Sequence, residues 1–241
     1  MKIQNLSRKE AQSVPMKKKT DTASGICPGS FCEEMTNADF YPMDMETKAE
    51  KRHVLLHSCC GPCSTACIER LLPDYRITVF FYNPNITDAD EYERRKAAQI
   101  RFLNAYNERI PEEDRVAFIE GEYLPEDYFD VCSGFSNEPE GGKRCTECFK
   151  LRMNRTAQVA LKTGNPIFGT TLTVSPHKNY PLISAIGTRL ADIYGLEFLD
   201  IDFKKRAGFH RSIELSKEYG LYRQNYCGCE YSKWDGYDKQ K

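Results

Sequence analysis

The sequence predicts an α/β protein built on a doubly wound, mostly parallel sheet. Short apolar runs of strand length alternate with stretches whose apolar residues recur at helical spacing, and turn dipeptides such as Gly-Pro and Asn-Pro separate them. This alternation favours parallel strands joined by right-handed crossovers, with helices on both faces of the sheet. The length of 241 residues suits one domain of this kind.

The elements follow one another in the order that such a sheet requires. Strands are predicted at residues 53–58, 77–82, 116–119, 167–172 and 196–203. Helices are predicted at residues 62–72, 92–106, 149–161 and 183–193, with one helical turn at 126–132 inside a long irregular insertion, 120–142. We interpret the whole as a single Rossmann-like domain.

The first 50 residues form a different region. They are rich in Lys, Glu, Ser, Thr and Met and have no sustained apolar period, so they bury too little surface to offset the entropy of ordering. We predict a flexible, disordered N-terminal tail over residues 1–50 and a folded domain over residues 51–241. Cys27 and Cys32 lie in this tail and are interpreted as solvent-accessible thiols.

Charge and hydropathy narrow the classes of function. The chain has 34 basic and 35 acidic residues, so contact with nucleic acid requires a local basic patch. No apolar stretch approaches the roughly 20 residues that cross a bilayer, and we expect a soluble cytoplasmic protein without a membrane partner. Eleven cysteines in a reducing compartment favour metal binding or thiol chemistry over disulfides.

Seven cysteines fall into three compact groups. The first two groups open predicted helices, where the helix dipole favours the thiolate that binds a metal or acts as a nucleophile. Ligands of doubly wound sheets bind beyond the carboxyl ends of the strands, and the first group follows the first strand. The groups are Cys59, Cys60 and Cys63; Cys145 and Cys148; and Cys227 and Cys229.

Two kinds of metal site fit these groups. Paired C-x-x-C motifs are typical of a structural zinc site, but 81 residues separate Cys63 from Cys145, against roughly 15 to 20 in compact zinc motifs. The adjacent thiols of Cys59 and Cys60 are expected to diverge, which suits separate irons of a larger cluster better than one tetrahedral ion. The residues alone leave iron–sulfur and zinc equally favoured.

The residues around the cysteines form longer motifs. In chain order they read Leu56-His57-Ser58-Cys59-Cys60-Gly61-Pro62-Cys63, Tyr82-Asn83-Pro84-Asn85-Ile86, Arg144-Cys145-x-x-Cys148-x-x-x-Arg152, Thr170-Thr171-Leu172-x-x-Ser175-Pro176-x-Lys178 and Tyr222-Arg223-Gln224-x-Tyr226-Cys227-Gly228-Cys229-x-Tyr231-Ser232. Together, from His53 to Ser232, they resemble the cobalamin-independent epoxyqueuosine reductases, the QueH family.

The resemblance implies a reaction and a cofactor. The reaction is the reduction of the epoxide of epoxyqueuosine, a modified guanine at the tRNA wobble position, to the cyclopentene of queuosine. The cofactor is a [4Fe–4S] cluster, which the family pattern assigns to Cys59, Cys60, Cys145 and Cys148. An electron donor, which the sequence does not identify, is implied as well.

The resemblance also assigns a second redox element to Cys227 and Cys229. A cubane cluster passes one electron at a time, whereas removal of an epoxide oxygen needs two. The two thiols can close to a disulfide, or they can join Cys63 in holding a second, mononuclear iron that binds the epoxide oxygen. Asp200, on the predicted fifth strand, is a further candidate ligand or acid. We favour the redox pair and leave the second iron open.

Basic residues around the second cysteine group are candidates for contact with an anticodon loop. They are Lys143, Arg144, Lys150, Arg152 and Arg155, and the patch extends to Lys178, Lys204, Lys205, Arg206 and Arg223. Such runs also form ordinary solvated helix faces. Tyr222 and Tyr226 are candidates for base stacking or for packing.

Two residues near the first cysteine group receive structural interpretations. His57 is expected to support the end of the first strand, and Cys67 to act as a small buried apolar residue. Two alternatives to an iron–sulfur reductase remain. One is a zinc-stabilised RNA-binding module without catalysis, and the other is a thiol oxidoreductase that acts on proteins.

Overall fold

Five parallel strands form one sheet. They are β1 (Arg52–Ser58), β2 (Tyr75–Phe81), β3 (Ala117–Glu120), β4 (Ile167–Thr170) and β5 (Glu197–Phe198), and they lie in the order β3-β2-β1-β4-β5. This computed structural model describes residues 50–237, and side chains as far as Lys233. The predicted tail, with Cys27 and Cys32, lies outside the described residues except for Glu50.

Seven helices of the described chain cover the sheet. They are α1 (Gly61–Leu71), α2 (Ala89–Asn107), α3 (Pro125–Cys132), α4 (Lys143–Lys162), α5 (Tyr180–Tyr194), α6 (Gly208–Glu218) and α7 (Glu230–Tyr237). None of these helices has the length and apolar character that a membrane crossing needs.

Two apolar clusters, one on each face of the sheet, form the core. Strand β1 divides between them: Val54 and Leu56 pack with α1 and α2, whereas Leu55 packs with α4 and α5. Five successive residues of β1 are buried, as expected for a central parallel strand covered on both faces. The prediction of a doubly wound α/β sheet is confirmed.

The strand order places one cleft in the sheet. The chain runs outward from β1 through β2 to β3, and then crosses back to place β4 on the other side of β1. Ligands of such sheets bind where the order reverses, beyond the carboxyl ends of the strands. The residues that follow β1 and β4 at this point are Cys59 and Thr171.

Strand predictions were wrong at the ends of β4 and β5. β4 ends at Thr170, where the threonine side chain accepts a hydrogen bond from the amide of Leu172 and caps a 3-10 turn, Thr171–Val174. β5 was predicted over residues 196–203 but pairs only over Glu197–Phe198. Beyond it, the amide of Ile201 bonds to the carbonyl of Leu199, which turns the backbone away from the sheet.

Two helices near the C-terminus were not predicted. The buried face of α6 consists of Ser212, Leu215 and Ser216, so the apolar periodicity that marks a buried helix is weak. Helix α7 likewise buries Ser232 rather than a large apolar residue at that position. Small polar residues pack closely without producing a signal in a hydrophobicity pattern.

Candidate metal centre

A cavity of about 700 Å³ lies at the carboxyl edge of the sheet. Its wall combines thiols with buried cations. Cys59 and Cys63 come from the first cysteine group and Cys227 from the third, while Arg152 and Lys178 come from α4 and the segment before α5. Thiols and cations facing one space suit an anionic metal–thiolate group.

The first cysteine group is compact. The sulfur atoms of Cys59, Cys60 and Cys63 all lie within 4.8 Å of one another, with 3.8 Å between Cys59 and Cys60 and 2.9 Å between Cys60 and Cys63. The expectation that the adjacent thiols diverge was therefore wrong. The first residue of α1, Gly61, packs directly against α2. A Cβ at this position would lie 2.6 Å from the carbonyl oxygen of Ala98, so the close packing requires glycine.

The pKa values of the three thiols in this group shift in different directions. Hydrogen bonds from Cys60 and Cys63, with help from the charge of Arg152, hold the pKa of Cys59 well below its ordinary value. Burial raises the pKa of Cys60 to about 12. Hydrogen bonds to Cys59 and Cys60 raise the pKa of Cys63 as well. Cys59 is therefore the most acidic thiol of the group, because its two neighbours donate hydrogen bonds to it.

The second group lies in the first two turns of α4, Cys145 in the first turn and Cys148 in the second. Cys145 accepts a hydrogen bond from the amide of Gly141 at 3.2 Å, and Cys148 faces Nη1 of Arg152 at 4.0 Å. Both thiols are buried, and burial raises the pKa of Cys145 and, to about 12, that of Cys148. The expectation that a helix N-terminus makes these thiols more acidic was wrong, because desolvation outweighs the dipole here.

The two thiols of the third group have different surroundings. The sulfur of Cys227 faces the cavity and accepts a hydrogen bond from Nζ of Lys178 at 3.1 Å. Cys229 is buried beside Cys148 and the hydroxyl of Tyr128. Between them Gly228 has φ of +123°, a conformation that side chains rarely adopt.

Arg152 connects the three groups. It is 1% exposed, donates to Oδ1 of Asn83 at 2.7 Å, and interacts electrostatically with Cys148, Cys59 and Cys227, one thiol from each group. No carboxylate of the described chain pairs with it, and its Nε has no hydrogen-bond partner. A buried guanidinium requires a negative partner, and Cys59, whose pKa is lowered in part by Arg152, is the thiol suited to supply it.

Comparisons with known proteins identify the family of this chain. A family model described as "Epoxyqueuosine reductase QueH" matches residues 54–235. The chain belongs to the QueH family. It is 41% identical to the epoxyqueuosine reductase QueH of Streptococcus pyogenes over 194 residues, which cover 80% of this chain and 75% of that protein. It is 37% identical to the QueH of Thermotoga maritima over 182 residues, which cover 74% of this chain and 89% of that protein.

Among other candidates in this QueH-family chain, His57 has the predicted structural role. Its Nε2 donates to the carbonyl oxygen of Tyr82 at 3.1 Å, so Nδ1 accepts from the hydroxyl of Thr170 at 2.9 Å. Burial and the charge of Arg152 lower its pKa to about 3, so the ring is neutral. Cys67 is fully buried, as predicted.

Asp200 lies away from the thiols. It is exposed, accepts a hydrogen bond from Ser184 at 2.7 Å, and interacts with the hydroxyl of Tyr180. It is not part of the cavity wall. The structure therefore brings Cys63, but not Asp200, to the site where a second metal was considered.

The predicted basic patch on α4 was partly wrong. Arg144 and Arg152 are buried, so neither can meet a phosphate at the surface. Lys150 is paired with Glu147, and Arg155 with Glu122. By contrast, Lys205, Arg206 and Arg223 are exposed and have no acidic partner among the described residues. Of these, Arg223 lines the cavity directly.

Sequence reasoning missed Arg95, a further buried residue of the cavity wall. Its only sequence signal is the spacing Glu91-x-x-x-Arg95, which predicts an ordinary surface ion pair on a helix. In the structure both side chains are 1% exposed. Gln224, within a quoted motif, also received no role, yet its amide lies 2.9 Å from the sulfur of Cys60.

Proposed function

We propose that this chain is an epoxyqueuosine reductase that converts epoxyqueuosine in tRNA to queuosine. The reaction takes up two electrons and two protons and releases the epoxide oxygen as water. The observation that carries the proposal is the meeting of all three cysteine groups at Arg152, in a chain whose relatives bear this name. Residues 51–241 would form the reductase domain, and residues 1–50 a tail outside it.

The donor set fits a [4Fe–4S] cluster held by Cys59, Cys60, Cys145 and Cys148. Thiolates are the usual ligands of such clusters, and all four residues are buried or half-buried. Arg152, Arg95 and Lys178 give the cavity wall positive charge, which balances the negative charge of four thiolates. The cluster would supply electrons one at a time.

Cys227 and Cys229 would serve as the second redox element. Oxidation of the two thiols to a disulfide releases two electrons and two protons, which matches what the epoxide consumes. Cys227 is suited to this role because its sulfur faces the cavity beside the ammonium of Lys178. The interaction with Cys227 and Glu140 outweighs burial and raises the pKa of Lys178, which keeps the ammonium charged. An external donor would reduce the disulfide after each turnover.

The partner would be the anticodon loop of a tRNA. Unpaired bases of a loop can be turned out into a protein pocket, and a cavity of about 700 Å³ has room for one modified nucleoside. We propose Lys205, Arg206 and Arg223 as the phosphate contacts, because they are exposed and unpaired with carboxylates within residues 50–233. A tRNA substrate and reduced thiols imply a cytoplasmic enzyme.

A zinc-binding module without catalysis is the second candidate. Its support is that the sulfur atoms of Cys59, Cys60 and Cys63 all lie within 4.8 Å of one another. Sulfur ligands of one tetrahedral zinc lie about 3.8 Å apart when each Zn–S bond is about 2.3 Å, and Cys59 and Cys60 are 3.8 Å apart. Metal analysis separates the two candidates. Anaerobically purified protein should be brown, with about four irons and four sulfides per chain. Colourless protein with one zinc would support the module.

The deciding experiment is anaerobic incubation of the protein with epoxyqueuosine-containing tRNA and a chemical reductant. We expect the nucleoside to lose one oxygen atom by mass, and the Cys227→Ala protein to leave it unchanged. Iron-loaded wild-type protein that binds the tRNA without removing oxygen would contradict the proposal.

The proposed RNA surface has its own test. Charge reversal of Lys205 and Arg206 should weaken tRNA binding and lower the slope of log K against log salt by about one for each lost phosphate contact. The matched control reverses Lys150 and Arg155 on α4, which are already paired with carboxylates. Equal effects of both double variants would contradict this surface.

A further inference from the structure

A buried ion pair lies beneath the segment that carries Cys227. Nε of Arg95 donates to Oε1 of Glu91 at 2.7 Å, one turn apart on α2, and both side chains are 1% exposed. Replacing a buried ion pair by well-packed apolar residues is often neutral or stabilising for the fold. Stability alone therefore does not explain why Glu91 and Arg95 are buried here. The remaining nitrogens of Arg95 suggest an explanation.

These nitrogens bind two successive peptide groups, one on each side of the Cα atom of Cys227. Nη1 donates to the carbonyl oxygen of Cys227 at 2.9 Å, and Nη2 donates to that of Tyr226 at 3.2 Å. The guanidinium also lies 5.0 Å from the centre of the Tyr226 ring. The planar, forked guanidinium thus holds two successive carbonyls at once, which a lysine ammonium is poorly shaped to do.

Gly228, the next residue, is also in close contact with Arg95 and with the loop before α2. A Cβ on Gly228 would lie 2.9 Å from Cγ1 of Ile86 and 3.1 Å from Nη1 of Arg95. The carbonyl oxygen of Gly228 accepts a hydrogen bond from the amide of Thr87 at 3.3 Å. Three successive residues, 226–228, are therefore seated on the start of α2 and the loop before it.

Glu91 extends the attachment upstream. Its second oxygen accepts a hydrogen bond from the hydroxyl of Tyr222 at 2.8 Å, so one carboxylate anchors both Arg95 and the beginning of the segment. On the other side of the cavity, Lys178 holds the sulfur of Cys227. The backbone of Cys227 is thus fixed by α2 and its side chain by Lys178.

We infer that the Glu91–Arg95 pair is a positioning device that sets where the Cys227 thiol sits in the cavity. The pair acts through the backbone carbonyls of residues 226 and 227, to which Arg95 donates directly. The activity part of this inference rests on the proposed function. Loss of the Arg95 guanidinium should leave the fold and the cluster in place but should make the segment that carries Cys227 mobile.

The test compares Arg95→Gln with Arg94→Gln in the full-length holoprotein. Arg94 is the matched control, because it contacts the same Glu91 at 3.2 Å and lies 5.4 Å from the centre of the Tyr222 ring. Unlike Arg95, it is exposed and donates to neither the Tyr226 nor the Cys227 carbonyl. The first measurement is the rate at which N-ethylmaleimide alkylates Cys227, read by peptide mass mapping. We expect about a tenfold rise in Arg95→Gln and less than a twofold change in Arg94→Gln.

The second measurement is turnover with epoxyqueuosine-containing tRNA. In Arg95→Gln we expect kcat to fall about 100-fold with the iron content unchanged, because misplacing a reacting group by about 1 Å costs about that much. If the wild-type protein does not reduce epoxyqueuosine, the proposed function fails, yet the alkylation rates still decide this inference.

Three results would overturn it. One is an unchanged alkylation rate in Arg95→Gln, the second is an equal change in both variants, and the third is loss of iron together with activity, which would assign Arg95 to the cluster or the fold. If Arg95→Gln does not fold, Arg95→Lys takes its place. Lysine keeps the charge next to Glu91 but cannot hold both carbonyls, so the Cys227 rate should still rise.

Discussion

The first and second cysteine groups have the same spacing and comparable places in the fold, but their thiols differ in charge. Cys60-x-x-Cys63 opens α1 and Cys145-x-x-Cys148 opens α4. Hydrogen bonds within the first group lower the pKa of Cys59, whereas burial raises that of Cys148 to about 12. The difference shows that neighbouring donors and burial, rather than the helix dipole that both groups share, decide where a thiolate forms.

The largest expected effect is a difference in iron content between variants of Cys63 and Cys148, the last cysteines of the first and second groups. If Cys148 is a cluster ligand and Cys63 is not, Cys148→Ser should lose most of the roughly four irons per chain, and Cys63→Ser should keep them. Iron and sulfide analysis of anaerobically purified proteins measures this. Retention of iron by Cys148→Ser, or equal loss in both, would overturn the proposed ligand set.

Arg152 is the cation that the two groups share, so its removal should affect both. Arg152→Met leaves thiolate charge buried without its partner, and such a loss costs about 3 to 5 kcal/mol. We expect a more negative reduction potential for the holoprotein, measured by redox titration, because reduction adds negative charge to the site. Arg155→Met, on the exposed face of the same helix, is the control and should leave the potential unchanged.

The contrast in pKa predicts selective reactivity in the metal-free protein. Iodoacetamide should modify Cys59 at neutral pH but should spare Cys60 and Cys148, whose pKa values are about 12. Peptide mass mapping from pH 6 to pH 10 measures the three rates. Equal rates for Cys59 and Cys148 at pH 7 would mean that the two groups do not differ as described.

The same raised pKa values predict the stability of the metal-free protein at high pH. Cys60 and Cys148 have pKa values near 12 when folded and an ordinary value of 9.0. Between these limits the unfolded chain releases protons that the folded chain retains, so the free energy of unfolding should fall as pH rises from 9 towards 12. Urea denaturation at several pH values measures it, and Cys148→Ser should reduce the slope.

The smallest expected effect belongs to His57, which supports the first group only. Its two hydrogen bonds join β1 to Tyr82, the residue after β2, and to Thr170 at the end of β4. His57→Phe should cost about 1 to 3 kcal/mol, because the carbonyl of Tyr82 loses this partner. Because the folded pKa is about 3, below the ordinary 6.5, stability should fall as pH drops through this interval. His57→Phe should lack that dependence, and thermal unfolding between pH 4 and pH 8 tests it.

Long apolar patterns were sufficient to predict most of the fold. The centres of β1 and β2 are buried on both faces, so each strand contains a continuous apolar run, residues 54–56 in β1 and residues 79–81 in β2, and the signal is strong. β5 and α6 were harder. Phe198 ends a strand that pairs over two residues only, and α6 packs through serines, so neither element has a pattern that extends over its true length.

The sequence predicts members for the candidate site but gives no information on the electrostatics of that site. Cysteine is a distinctive residue, and groups of it at the ends of strands predict a metal centre without knowledge of contacts. Arginine has no such signature. Arg152 and Arg155 are three residues apart on one helix, yet the first is buried among thiols and the second is paired with Glu122 at the surface.

By itself, the sequence determined the α/β class, the strand and helix order, the three cysteine groups and the QueH resemblance, because these depend on residue type and short-range spacing. Only the tertiary structure decided which thiol is ionised, which basic residues are buried, and that Arg95 holds Cys227. Those properties depend on desolvation and on contacts between residues as much as 132 positions apart, which no local pattern encodes.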